Sequence, residues 1–218
     1  MFALPRFYPI LDTGVAERHS IPLIHAAEQI LSAGARILQY RHKGFFTRAN
    51  FEHAERLAQM CGQAGAIFVI NDRADLAAIL GAALHLGQDD LLPSLARRVT
   101  AGIIGYSTHN EMQLREAHQE PADYFALGPI FATGSKQNPD PVVGLEGLRR
   151  LRPLSKKPLV AIGGITLTNA NQVFDAGADS VAVIGDLFAD GQLKKRTAQW
   201  LVATSPIPKL NPGRCKNI

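Results

Sequence analysis

Three features of the sequence predict one α/β domain folded as a (β/α)8 TIM barrel. Short apolar runs such as Ile67-Phe68-Val69-Ile70 recur along the chain, of the kind a parallel sheet buries on both faces. Each run leads into a polar or glycine-rich end and then a segment with helical spacing. Ala-Gly-Ala closes three of those helical segments, at 33–35, 64–66 and 176–178, with shortened copies at Gly81-Ala82 and Ala101-Gly102. A glycine ends a helix in the left-handed conformation, and a small neighbour lets the chain turn tightly into the next buried strand. The repeat therefore marks one βα unit after another. About eight units in a chain of 218 residues suit a small barrel, with a doubly wound sheet as the alternative.

The elements follow in order. Residues 7–11 (F-Y-P-I-L) form the first strand, with Asp12 and Thr13 at its end, and 21–31 has helical spacing. Residues 36–40 are the second strand, 51–60 a helix, and 67–70 the third strand, ending at Asn71 and Asp72. Residues 76–80 are helical, 84–86 a strand, 92–98 a helix and 103–106 a strand. Residues 111–118 are helical and 124–127 a strand, and a long loop spans 128–144. The set closes with a helix at 145–151, a strand at 159–162, a helix at 169–175, a strand at 180–184 and a helix near 194–201. No shift in composition marks a second domain. Residues 1–204 read as a catalytic barrel, and 205–218 as a Pro-rich, loose C-terminal tail.

Composition narrows the class of protein. Charged residues at 19% and hydrophobic ones at 46% fit a soluble globular chain rather than a disordered or membrane-spanning one. The net charge of +4 is spread widely, which suits a small anionic ligand better than nucleic acid. Cys61 and Cys215 lie far apart and offer neither a disulfide framework nor zinc spacing, so a reducing cytoplasm is expected. The start, M-F-A-L-P-R, lacks the pattern of a signal peptide, and no apolar run approaches the roughly 18 residues that span a bilayer. No membrane or nucleic-acid partner is expected, and a homo-oligomer stays open.

In a barrel, chemistry sits at the C-terminal ends of the strands. Asp72 ends one strand, and Asp89 and Asp90 follow the next. Neighbouring strands lie about 4.8 Å apart, so the two ends bring carboxylates within reach of one hard cation. Mg2+ suits such a pair, because it takes one or two carboxylates and leaves its other positions to water and phosphate oxygens. Gln39, Arg41 and Lys43 are spaced by two and share one face over the mouth. A guanidinium fork and an ammonium point charge suit a pyrophosphate, although a solvated loop is the plainer reading. Ser107 can bond a phosphate oxygen or cap the next helix. His109 fits a general base or a structural role, and His85 fits a hydrogen-bonded core residue. Thr133, Gly134, Ser135 and Lys136 give the long loop two hydroxyls, a permissive backbone and a cation. Gly163-Gly164 and Gly185 end the last two strands, where backbone N–H groups form a phosphate cradle or the glycines simply make tight turns. The residues alone support Mg-dependent transfer from a diphosphate ester to a phosphorylated acceptor. A phosphatase or a phosphosugar isomerase stays open at this stage.

Seven segments, taken together and in this order, resemble the thiamine phosphate synthase family. They are Q-Y-R-H-K at 39–43, I-N-D-R at 70–73, H-L-G-Q-D-D at 85–90, G-Y-S-T-H-N at 105–110, D-Y-F-A-L-G-P-I-F-A-T-G-S-K at 123–136, A-I-G-G-I-T at 161–166 and G-A-D-S-V-A-V-I-G at 177–185. The resemblance implies a barrel that joins hydroxymethylpyrimidine diphosphate to a thiazole phosphate, giving thiamine monophosphate and pyrophosphate. It implies that pyrophosphate leaves first and that the thiazole nitrogen captures the resulting pyrimidinyl-methyl cation. By position, Asp72 and Asp90 would hold Mg2+. Gln39, Arg41, Lys43, Asn71, Ser107 and Lys136 would bind the pyrimidine diphosphate, with Arg41, Lys43, Ser107 and Lys136 as the catalytic set. Thr133, Gly134, Ser135, Gly164, Ile184 and Gly185 would bind the thiazole phosphate. Tyr40 and His42 stand where the family usually has Leu and Glu. They are counted in the substrate-binding run, although strand alternation turns both away from the mouth. Gly185 stands where a serine is common, which keeps an N–H and loses a hydroxyl. The alternative is a thiazole tautomerase-like enzyme or a non-catalytic barrel that binds thiamine precursors.

Overall fold

The computed structural model describes residues 4–134 and 140–205. Eight parallel strands close into a barrel in sequence order: β1 (Phe7–Asp12), β2 (Ile37–Arg41), β3 (Ile67–Asn71), β4 (Ala83–Leu86), β5 (Ile104–Thr108), β6 (Tyr124–Leu127), β7 (Leu159–Ile162) and β8 (Ser180–Val183). The closure is β1 against β8, with Tyr8 opposite Ala182. The helices around it are α1 (Thr13–Arg18), α2 (Leu23–Ser32), α3 (Arg48–Ala64), α4 (Ala74–Leu80), α5 (Pro93–Ala96), α6 (Glu111–Ala117), α7 (Gly144–Leu151), α8 (Ala170–Asp175) and α9 (Leu193–Ala203). The predicted barrel is the observed one. No helix among the described residues is long and apolar enough to cross a membrane. The expected tail, 205–218, falls outside the described residues apart from Ser205.

Strand alternation divides the apolar residues into two cores. Phe7, Leu11, Leu38, Tyr40, Ile70, Leu84 and Phe125 face outward and pack beneath the helices. Tyr8, Ile10, Ile37, Val69, Ala83, Tyr124, Ala126, Val160 and Ala182 fill the barrel interior. The same alternation turns Gln39 and Arg41 on β2, Asn71 on β3, His85 on β4 and Ser107 on β5 into the barrel, above that apolar floor. Trp200 of α9 is fully buried and stacks on Phe7, with centroids 5.5 Å apart and rings 6° from parallel.

Four of the five glycines expected to stop helices do so, Gly34 and Gly177 directly after the caps of α2 and α8, whereas α5 ends at Ala96, well before Gly102. Gly65 and Gly81 cap α3 and α4 in the left-handed conformation, with φ of 61° at both. One helix was not foreseen. The Asp12 side chain accepts the Val15 N–H at 2.9 Å and starts α1 directly after β1, with only six residues and too short a pattern to read.

Candidate active site

A cavity of about 520 Å³ opens at the C-terminal ends of the strands. One side of it is ionic. Arg41 pairs with Asp12, both largely buried, and Lys43 Nζ lies 2.5 Å from Asp72 Oδ2. Asp72 has a φ of 66°, a left-handed backbone that few non-glycine residues adopt, and strain of this kind collects at functional sites. Burial, and after it a hydrogen bond with Asp90, pushes the Asp72 carboxyl up from 3.8 to about 6, against the opposing pull of Lys43. Asp90 itself accepts the Gly87 N–H at 2.6 Å. Asn71 is 9% exposed on the cavity wall, and its Nδ2 has no hydrogen-bond partner among the described residues. A buried donor left in that state awaits a ligand acceptor.

The opposite side is neutral and built from backbone. Gly163 and Gly164 follow β7 with φ of 100° and 62°. A Cβ on Gly164 would lie 2.6 Å from the Ala132 carbonyl oxygen, so only glycine lets the two loops meet. Asn169 clamps this turn, donating to the Gly164 carbonyl at 3.0 Å and accepting from Thr166 N at 2.8 Å. After β8, a short 3-10 turn runs Gly185–Phe188. It is anchored by the buried Asp186 carboxylate, which accepts from Arg196 at 2.6 Å and from Trp200 Nε1 at 2.7 Å. These loops can hold a phosphate by N–H groups alone.

Between the two sides runs a buried polar chain. Gln39 Nε2 donates to the Tyr8 hydroxyl at 2.9 Å, and that hydroxyl lies 2.8 Å from the hydroxyl of Tyr124. Tyr124 is 3.1 Å from His85 Nδ1, and His85 Nε2 is 2.9 Å from Ser107 Oγ. His109 is at the rim, its Nδ1–H donating to the Gly128 carbonyl at 2.6 Å and its Nε2 lying 3.5 Å from Asp140.

A family model described as thiamine monophosphate synthase matches residues 7–187. The chain belongs to the thiamine monophosphate synthase family. A thiamine-phosphate synthase of Koribacter versatilis is 47% identical over 203 residues, covering 91% of this chain and 95% of that one. A thiamine-phosphate synthase of Chloroflexus aurantiacus is 39% identical, covering 84% and 85%. The solved structure of thiamine phosphate pyrophosphorylase from Pyrococcus furiosus superimposes with a TM-score of 0.82 at 31% identity, covering 91% of this chain and 95% of that one.

Most of the residues that the family resemblance pointed to meet in this cavity. Gln39, Arg41, Lys43, Asn71, Asp72, Ser107, Thr133, Gly134, Gly164, Ile184 and Gly185 line it. Asp90 does not line the cavity, but its side chain bonds that of Asp72, which does. Ser135 and Lys136 lie outside the described residues. Two assignments are corrected. The Tyr40 side chain is buried in the outer core and directed at the Asn50 carbonyl, 3.5 Å away, and His42 bonds Thr13 Oγ1 at 2.9 Å. Neither lines the cavity, because period-two alternation sends both to the outside of β2 and its continuation. Ser107 does not cap α6. Asn110 does, accepting from Gln113 N at 2.9 Å. His85 is the hydrogen-bonded interior residue expected of it, and it also reaches the cavity wall.

Tyr8, Asp12, Tyr124 and Asp186 were not singled out from the sequence. Gly105 was the available signal for Tyr124. It faces into the barrel between His85 and Tyr124 in the strand register, and a Cβ there would lie 2.1 Å from Tyr124 Cζ. A Gly105→Ala variant is therefore expected to lose about 1–3 kcal/mol of stability in urea unfolding, since a rigid ring in a packed interior has nowhere to go.

Proposed function

We propose that this family member works as a thiamine-phosphate synthase, a transferase that joins hydroxymethylpyrimidine diphosphate to a thiazole phosphate and releases pyrophosphate. The observation that carries the mechanism is the two-sided cavity: cations and a carboxylate pair on one side, a glycine-lined cradle on the other. The cationic side suits a diphosphate and the neutral side a monophosphate. Their reacting ends then meet over the apolar floor between them.

In the reaction the bond between the pyrimidine methylene and the diphosphate oxygen breaks, and its electron pair leaves with pyrophosphate. The lone pair of the thiazole nitrogen forms the new C–N bond. No protein nucleophile is needed. Arg41 and Lys43 neutralise charge as it builds on the leaving oxygens, and the Ser107 hydroxyl and Asn71 amide donate to them. The backbone of Gly164 and Gly185 holds the acceptor by its phosphate, so that the ring nitrogen faces the methylene carbon.

Asp72 and Asp90 fit Mg2+. They are two carboxylates in contact, one with a raised pKa that a cation would relieve, and no group of three or more acidic, His or Cys ligands occurs among the described residues. A site of one or two carboxylates completed by water and phosphate oxygens is the usual one for this ion. When bound, Mg2+ supplies charge neutralisation to the diphosphate.

The test is a coupling assay. Purified chain, pyrimidine diphosphate, thiazole phosphate and Mg2+ are mixed, and thiamine phosphate is read as thiochrome fluorescence after oxidation. Product is expected with Mg2+ and is expected to disappear with EDTA. Absence of product under both conditions would overturn the assignment, and product that persists in EDTA would overturn the metal.

A further inference from the structure

The turn after β8 is held from outside the barrel. We propose that Arg196 and Trp200 of α9 are positioning residues for the phosphate of the thiazole substrate, acting through the Asp186 carboxylate on the turn that carries Gly185. The proposal rests on the reading of the Gly164 and Gly185 backbone as the acceptor cradle. Both positioning residues lie beyond residue 187, where the match to the family model ends.

Gly185 brings no hydroxyl to a phosphate, so its contribution is an N–H whose aim the backbone alone sets. Glycine is also the residue least able to hold an aim by itself. Its neighbour supplies what it lacks. The Asp186 side chain is almost fully buried and lies on the cavity wall. Its Oδ1 accepts from Arg196 Nη2 at 2.6 Å, and its Oδ2 accepts from Arg196 Nε at 3.1 Å and from Trp200 Nε1 at 2.7 Å. Arg196 Nε also donates to the Asp186 backbone carbonyl at 3.1 Å. One guanidinium thus grips both the side chain and the main chain of the residue next to Gly185, and a fork of this kind fixes orientation as well as distance. Trp200 carries the grip back to the barrel. Its ring is fully buried and stacks on Phe7 of β1, and β1 is the strand that closes against β8. The turn after β8 is therefore clamped to the strand beside it.

The clamp also sets the charge of the cradle. Asp186 is a carboxylate on the wall of a cavity that takes a phosphate, and left unpaired it would repel that group. Arg196 neutralises it at a place where little water is present to screen the charge. Aim and charge both depend on the same two donors, so losing either one weakens the hold on phosphate and not the hold on the thiazole ring.

The experiment compares calorimetric binding of thiazole phosphate and of the unphosphorylated thiazole alcohol to the full chain, beside steady-state kinetics. Arg196→Met keeps the length of the stem and removes the charge and every donor. It is expected to weaken binding of thiazole phosphate about thirty- to a hundredfold, because a buried carboxylate is left unpaired beside an anion. Binding of the alcohol is expected to stay within about threefold, and KM for pyrimidine diphosphate within about twofold. Trp200→Phe keeps a ring on Phe7 and deletes one donor, with an expected loss of about five- to tenfold for thiazole phosphate. Arg196→Lys keeps the charge without the fork and is expected to fall between the unsubstituted chain and Arg196→Met. A merely structural α9 would lower Tm and move phosphate and alcohol alike. A folded Arg196→Met whose preference for phosphate over alcohol is unchanged would overturn the proposal. Should Arg196→Met not fold, Trp200→Phe carries the same test with its smaller expected loss. A chain that binds thiazole phosphate and loses that binding in these variants, yet couples no substrates, would refute the synthase reading and leave the clamp standing. A chain that couples its substrates, with the preference for phosphate unchanged in the variants, would refute the clamp and leave the synthase standing.

Discussion

An Asp72→Asn variant is expected to lose turnover by about a thousandfold and yet to fold more stably than the unsubstituted chain at neutral pH without Mg2+. The loss follows from the several kcal/mol that charge neutralisation at a leaving diphosphate contributes, at about 1.4 kcal/mol per decade of rate. The gain follows from linkage. The folded chain holds the Asp72 proton up to about pH 6, against an ordinary value of 3.8. Between those values the unfolded chain ionises and the folded one resists, so stability falls as pH rises, and above about pH 6 the full cost is present. At about 1.4 kcal/mol per unit, that cost is on the order of 3 kcal/mol. Asparagine removes it, fills the same space and tolerates the left-handed φ of 66°. Lys43 loses its partner, but its side chain is 54% exposed, so little stability goes with it. Thermal melts in EDTA at pH 4 and pH 7.5 check the sign: the difference in Tm is expected to be near zero at the lower pH and positive at the higher. Adding Mg2+ is expected to raise Tm for the unsubstituted chain and leave the variant unchanged. A variant with unaltered turnover would remove Asp72 from the metal site.

Local pattern made the barrel legible, because every βα unit repeats the same grammar of apolar run, polar end, amphipathic segment and glycine stop. Residues at strand ends were legible for the same reason. Once a strand is placed, period-two alternation decides which side chains enter the mouth, and Gln39, Arg41, Asn71, Ser107 and Ile184 all follow it. The rule also excluded the Tyr40 and His42 side chains, which the family run alone had drawn in. What stayed hidden is what depends on contact across the barrel. Tyr8 and Tyr124 are 116 residues apart and read as ordinary core aromatics until their hydroxyls are seen 2.8 Å from each other. Asp186 looks like one more loop carboxylate, and only the return of α9 brings Arg196 and Trp200 onto it. Asp12 was visible as a strand end, but nothing in its neighbours pointed to Arg41.

That last pair leads to the second large effect. Arg41→Ala is expected to lower both turnover and stability, by separable routes. The Asp12 carboxylate is only 8% exposed, and Arg41 is its charge partner. Removing one member of a buried pair leaves an uncompensated charge, at a cost of about 3–5 kcal/mol. Turnover falls as well, by about a hundred- to a thousandfold, because a preorganised donor fork facing the leaving diphosphate is gone. Arg41→Lys keeps the charge without the fork and is expected to fall between the two, closer to alanine in turnover than in stability. The decisive variant is the double, Asp12→Asn with Arg41→Ala. Asparagine still caps α1 at Val15, and no carboxylate remains to be left unpaired. Urea unfolding of the double variant is expected to recover most of the lost stability, while the thiochrome assay shows turnover as low as in Arg41→Ala. Recovery of both together would make Arg41 a structural cation held by Asp12. Recovery of stability alone separates the two duties of this side chain: it neutralises a buried carboxylate in the ligand-free barrel, and it meets the diphosphate when substrate arrives.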